Sequence, residues 1–139
     1  MDQSIETMSA IPARMCEAWN RGDAAGFYAD FAADAELVEF EGTIQKGRDT
    51  LVAFQQPAFD TMLKGSSLVD SDVPFARVVA PGAGVVHHRF GVLMPGAPAP
   101  ARLMQLLAVV WQNSRWEVAT LQNARVVPLA ALPALESIT

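Results

Sequence analysis

The chain changes character at Gly65, and that change limits its fold more than any other feature. Before it, apolar residues recur every three or four positions, the period of a helix face. After it come four long β-rich runs, at about 67–80, 83–94, 101–112 and 115–127. Turn signals bound them: Pro81-Gly82, then Pro95-Gly96 with Pro98 and Pro100, then Asn113-Ser114. Connections this short join antiparallel neighbours. Helices first and strands later predict an α+β fold, its helices gathered on one face of a curved antiparallel sheet. The 139 residues suffice for one such core, and no linker, repeat or low-complexity segment interrupts them, so residues 1–139 are expected to form one domain.

Charge follows the same division. Residues 1–72 carry 13 acids and 5 bases, whereas residues 73–139 carry 2 acids and 5 bases. Strands this poor in charge point to a sheet covered on both faces. The whole chain is acidic, at −5, which argues against a phosphate-backbone partner and so against nucleic acid. No stretch approaches the roughly 18 continuous apolar residues of a membrane span. The start, Met1-Asp2-Gln3-Ser4, lacks the basic and apolar regions of a signal peptide, so a cytoplasmic location is expected.

Within the first half, Ile5, Met8, Ile11, Met15 and Trp19 mark one helix, with Pro12 kinking it or opening its first firm turn. Gly22 suits a left-handed C-terminal cap, and Asp23 an N-cap for a short second helix carrying Phe27, Tyr28 and Phe31. Residues 37–41 alternate as a short strand ended by Gly42. Gly47-Arg48-Asp49 opens a third helix with Leu51, Phe54, Phe59, Met62 and Leu63 as its apolar set, divided or kinked at Pro57 and ended by Gly65. The tail, residues 128–139, carries Leu129, Leu132, Leu135 and Ile138 and lies across the surface or onto a partner.

Familiar catalytic motifs are missing. Pro81-Gly82-Ala83-Gly84 joins two strands with no helix after it, which is not a dinucleotide fingerprint. There is no Gly-x-Ser-x-Gly elbow, and Cys16 has no partner near it in sequence. His87 and His88 are adjacent, so on a strand they point to opposite faces and cannot share a metal. No metal and no cofactor is expected.

The order of short motifs carries more. Ala18-Trp19-Asn20-Arg21-Gly22-Asp23, Phe31-Ala32-Ala33-Asp34-Ala35-Glu36-Leu37-Val38, Gly42, Gly47-Arg48-Asp49, Trp116-Glu117-Val118-Ala119 and Gln122-Asn123 together span most of residues 5–127. In this arrangement the chain resembles the NTF2-like superfamily, and within it the SgcJ/EcaC branch beside the SnoaL-like cyclases and steroid isomerases. The resemblance implies a cone: three helices closing over a curved sheet with an apolar pocket between them. It also implies a homodimer through the sheet's outer face. Members of the branch occur in enediyne and other polyketide biosynthesis, which implies a hydrophobic, oxygenated small-molecule ligand. Cofactor-free isomerisation, cyclisation or dehydration is one outcome, shielding or delivery of an intermediate without chemistry is a second, and an interaction module with a vestigial pocket is a third.

Ketosteroid isomerases of this fold place a carboxylate base on the first strand, where Glu39 aligns. Their two oxyanion donors align with Met15 and Leu107, neither of which can donate a hydrogen bond. Losing each such donor costs roughly 10²–10³ in rate, which disfavours enolisation of a steroid-like ketone by that route. Glu39 is a general base if its strand face meets apolar walls, or otherwise a solvated carboxylate beside Glu36 and Glu41. Folding the hairpin about residues 95–100 sets His88 across from Leu107 on the pocket side and His87 outside; a one-residue slip would exchange them. His88 then either touches ligand or is a satisfied structural histidine. Gln105 and Asn123, polar on apolar strands, either bind ligand or tie down backbone. Trp19, Tyr28, Phe54 and Phe59 are core first and pocket wall second. Arg48 supports the start of the third helix or pairs with an acid, and Trp111 and Trp116 serve packing or the dimer contact.

Overall fold

A computed structural model of the chain describes residues 3–128 and residue 130. The expectation for the tail, residues 128–139, therefore lies outside the described residues except at Pro128 and Ala130. The N-terminal helical run is two pieces, α1 (Ile5–Ser9) and α2 (Ile11–Asn20), with Pro12 in the first turn of α2, where its missing N–H costs no hydrogen bond. Gly22 adopts φ +67° after α2, and Asp23 caps α3 (Ala24–Phe27) by accepting from Gly26 N at 2.9 Å. α4 (Arg48–Asp60) contains Pro57.

β1 runs over Phe31–Val38, longer and earlier than the 37–41 strand expected from sequence, and Phe31 opens it rather than closing a helix. The segment Ala32-Ala33-Asp34-Ala35-Glu36 has little intrinsic strand preference. Parallel pairing with the last strand overrides that propensity. β2 (Ile44–Lys46) follows as three residues at the sheet edge, too short to leave a pattern in the sequence. β3 (Ser67–Ala80), β4 (Ala83–Leu93), β5 (Ala101–Gln112) and β6 (Arg115–Arg125) match the four β-rich runs closely. Asn113 and Ser114 have φ of 55° and 61°, the mirror-image turn whose twist fits a two-residue hairpin.

The sheet order is β2-β1-β6-β5-β4-β3, antiparallel except for the β1–β6 pair. Since β2 and β3 occupy opposite edges, the chain between them must cross the sheet, and α4 makes that crossing on the same side as α1, α2 and α3. Burial alternates along β4, with Gly84, Val86, His88 and Phe90 turned inward. These, with Leu107, Val109, Val118 and Leu121, meet Met8, Ile11, Met15 and Leu51 from the helices. An aromatic chain closes one side: Trp19 meets Phe59 and Phe27 edge-on, Phe27 meets Tyr28, and Tyr28 meets Phe31, at centroid separations of 4.9 to 5.7 Å. Trp111 and Trp116 pack edge-on at 5.6 Å, Trp116 in the core. In the single chain the outer face leaves Phe75, Val79 and Leu106 exposed.

Candidate functional site

Cross-strand register decides which polar side chains meet, because paired residues share a face. His88 pairs with Gln105, and Gln105 with Asn123. The three form one row across the inner face of β4, β5 and β6. Ser71 from β3 extends the row at one end, and Glu39, one residue past β1, at the other. The expected pairing of His88 with Leu107 is two residues out: Leu107 faces Val86. A two-residue slip keeps every side chain on its face, so His88 points inward and the half-buried His87 outward.

His88 is 1% exposed and stacks on Phe90, with ring centroids 4.7 Å apart. Its Nδ1 lies 2.8 Å from Gln105 Oε1, which only accepts, so Nδ1 carries the proton. Nε2 is then the acceptor, and Ser71 Oγ donates to it at 2.7 Å, with Cys16 Sγ 3.8 Å away. Burial lowers the His88 pKa, against the opposing pull of the Gln105 bond and the Asp72 charge, so the ring is neutral at pH 7. Burial also raises the Cys16 thiol pKa, outweighing its bond to Ser71. Neither group was linked to His88 by sequence spacing. The available signal was the polar interruption Asp70-Ser71-Asp72 inside an otherwise β-rich run.

At the other end, Glu39 heads the turn that closes β1 on β2: its N–H donates to Thr43 O, and Gly42 N–H donates to its carbonyl, both at 2.9 Å. It is half-buried and lies beyond the strand on which the sequence placed it. Burial raises its carboxyl pKa, Glu41 adds to the rise, and a hydrogen bond from the Asn123 side chain opposes it. The other amide atom, Asn123 Oδ1, is buried and has no hydrogen-bond partner among the described residues. Tyr28 is 2% exposed, and its hydroxyl donates to Gln55 Oε1 at 3.4 Å. Burial first, and then the Glu39 charge, hold that hydroxyl protonated far into the alkaline range. A carboxyl poised to hold a proton, a neutral phenol and an unsatisfied amide therefore share one end of the row.

The other candidates divide. Met15 and Leu107 are buried in the cone interior, at 1% and 0% exposed, and supply no donor. Trp19 and Phe59 line a separate cleft of about 470 Å³ with Asn20, Leu63, Lys64 and Ser66, where Trp19 Nε1 donates to Ser66 Oγ at 3.1 Å. Phe54 is neither core nor pocket wall; it is 63% exposed. α4 turns the stripe Leu51, Gln55 and Phe59 inward, spaced i, i+4, i+8, and Phe54 falls off its edge. Arg48 Nη1 donates to Phe31 O at 3.2 Å, tying the start of α4 to the start of β1. Among the described residues no cluster of three or more His, Cys, Asp or Glu could hold a metal ion, and no helix is long and apolar enough to cross a membrane.

This geometry belongs to a known architecture. A domain of unknown function with a cystatin-like fold from Nostoc punctiforme superposes with a TM-score of 0.85 at 30% identity, over 99% of this chain and 93% of that one. The chain belongs to that domain's cystatin-like family. The cystatin-like fold extends to more distant proteins. A ketosteroid isomerase-like protein from Erwinia carotovora matches at TM-score 0.74 and 16% identity, over 92% of this chain and all of that one. An NTF2-like protein of unknown function from Shewanella oneidensis matches at TM-score 0.74 and 16% identity, over 86% and 97%. At 16% identity these two share the fold alone. No protein-family model matches the chain, and no curated protein matches it.

Proposed function

We propose that this cystatin-like protein binds a hydrophobic, oxygenated small molecule at the Glu39 end of the polar row. One observation carries the reading: Asn123 holds Glu39 with one amide atom and leaves Oδ1 buried and, among the described residues, unpartnered beside it. A buried acceptor without a partner costs about 1–3 kcal/mol, and a ligand hydroxyl donating to it would offset that cost. The raised Glu39 pKa adds a proton acceptor at the same place, which favours proton-transfer chemistry such as isomerisation, cyclisation or dehydration. The carrier reading draws on a different observation: the apolar Met15 and Leu107 stand where the isomerase-like resemblance calls for oxyanion donors.

The finer assignment, to the SgcJ/EcaC branch and a polyketide or enediyne intermediate, rests on the sequence resemblance. The proposed homodimer, formed through the outer sheet face, would cover the exposed Phe75, Val79 and Leu106. Native mass spectrometry of the protein purified from its own cells tests the binding reading. The expected result is a dimer carrying an apolar, oxygen-containing molecule that Asn123→Ala fails to retain. Incubating that molecule with fresh protein then separates enzyme from carrier, because only an enzyme converts it, and Glu39→Gln would stop the conversion while leaving the fold intact. A dimer that carries nothing and binds nothing contradicts the proposal.

A further inference from the structure

The opposite end of the polar row has a different chemistry. β3 carries one residue more than β4 at this point: Val69 pairs with Gly91, but Asp72 pairs with Arg89. Without that bulge, residue 71 would pair with Arg89 and share its outward face. Asp70 instead takes φ +54°, a conformation that residues other than glycine seldom adopt, and Ser71 turns to His88. The bulge is held from outside by ion pairs, Asp70 with Arg102 at 3.1 Å and Asp72 with Arg89 at 2.7 Å. Strain of this kind persists only where surrounding contacts enforce it, and it concentrates at functional sites.

The result is an exposed serine, a buried imidazole and a buried amide in series. Ser71 Oγ donates to His88 Nε2 at 2.7 Å, and His88 Nδ1 donates to Gln105 Oε1 at 2.8 Å. Both distances fall in the range that joins nucleophile to base and base to orienting group. Ser71 is a solvent-exposed residue, whereas His88 and Gln105 are 1% and 4% exposed, so substrate and water approach the pair from the Ser71 side. We propose that Ser71, His88 and Gln105 form an acyl-transfer site that takes carboxylic esters. Ser71 and His88 are its catalytic residues, and Gln105 is a positioning residue. Asp70 and Asp72 flank the hydroxyl but are paired with Arg102 and Arg89, and Cys16 and Phe90 pack beside the ring from the core.

The chemistry balances without a cofactor. Ser71 Oγ bonds to the ester carbonyl carbon as its proton passes to His88 Nε2. The C–O bond to the alcohol breaks, and the alcohol leaves with that proton. Water, activated by the same ring, then releases the acid and restores Ser71. Gln105 holds the ring in the tautomer that presents a lone pair to the hydroxyl. Among the described residues, Cys16 from α2, Ser71 from β3 and Gln105 from β5 touch the ring; the charge that acts on it is Asp72, on the outer face of β3 and paired with Arg89. This site stands apart from the Glu39 end, so either can fail without the other.

The test is labelling of the intact protein with an alkyl fluorophosphonate, in which the Ser71–phosphorus bond forms and fluoride leaves. The site predicts a single adduct mapped to Ser71 by peptide mass spectrometry and absent from Ser71→Ala. His88→Asn should slow labelling by roughly 10²–10⁴-fold. Hydrolysis of p-nitrophenyl acetate supplies the second readout: Gln105→Glu puts a carboxylate on Nδ1, favours the imidazolium and moves the acidic limb of the pH–rate profile to higher pH. No adduct, an adduct elsewhere, or Ser71→Ala labelling at the parent rate overturns the proposal. The first experiment needs no variant, so a misfolded mutant cannot obscure it.

Discussion

Replacing Gln105 by Leu tests whether the buried imidazole depends on its amide. The two side chains are similar in volume, and Gln105 is 4% exposed, so the substitution removes an acceptor without opening a large cavity. His88 Nδ1–H, 2.8 Å from Gln105 Oε1, then has no partner in an interior lined by Leu107, Leu121 and Val86. An unsatisfied buried donor costs about 1–3 kcal/mol. For a chain of this length, 2 kcal/mol corresponds to a fall in Tm of roughly 6–10 °C. The ring also loses its reason to keep the proton on Nδ1, so part of the population should move it to Nε2. Urea unfolding gives the first quantity and ¹⁵N chemical shifts of the ring the second. Removing both partners, as His88→Leu with Gln105→Leu, should recover most of the stability, leaving a coupling energy of about 0.5–3 kcal/mol. A Gln105→Leu protein as stable as the parent, or a parent ring protonated on Nε2, would mean that the amide does not hold the ring.

Three other expectations follow from single contacts. A methyl added at Gly84 would lie 2.6 Å from Met8 Sδ and 3.1 Å from Arg77 O, so Gly84→Ala should cost about 1–3 kcal/mol in urea unfolding, less in a Met8→Ala background. Asp23→Ala removes the cap of α3 and should cost about 0.5–2 kcal/mol, read as a lower thermal midpoint. For Glu39, the folded state holds the proton more tightly than the unfolded chain. Its stabilising contribution is therefore full below the ordinary glutamate pKa and is lost as pH rises through the raised folded value. Glu39→Gln should accordingly gain on the parent between pH 4 and pH 8 in paired urea titrations, and a constant or narrowing difference would count against a buried carboxyl.

The sequence carried the layer order and the four long strands because turn chemistry and period-two alternation are local properties. Asp23 as a cap and Gly22 as a left-handed residue were legible for the same reason. β1 was not, since Ala33, Asp34 and Ala35 become a strand only through parallel pairing with β6, far along the chain. Phe54 shows the limit of helical spacing, which marks an apolar set without saying which member faces in. Glu39, His88, Gln105 and Asn123 could each be singled out as polar residues in apolar surroundings. That they form one row depends on register, a non-local quantity. Ser71 and Cys16 join His88 through a bulge and a helix packed over it, which no residue spacing records.

The most direct test of the polar row as a binding surface is an NMR titration with a panel of small aromatic ketones and phenols. Shifts are followed at the Asn123 side-chain amide, the His88 ring and the Trp19 indole. Bound compounds should perturb the Asn123 amide first, with His88 following through Gln105. Perturbations confined to the Trp19 indole and the Ser66 and Ser67 amides would place binding in the outer cleft and contradict a site on the row.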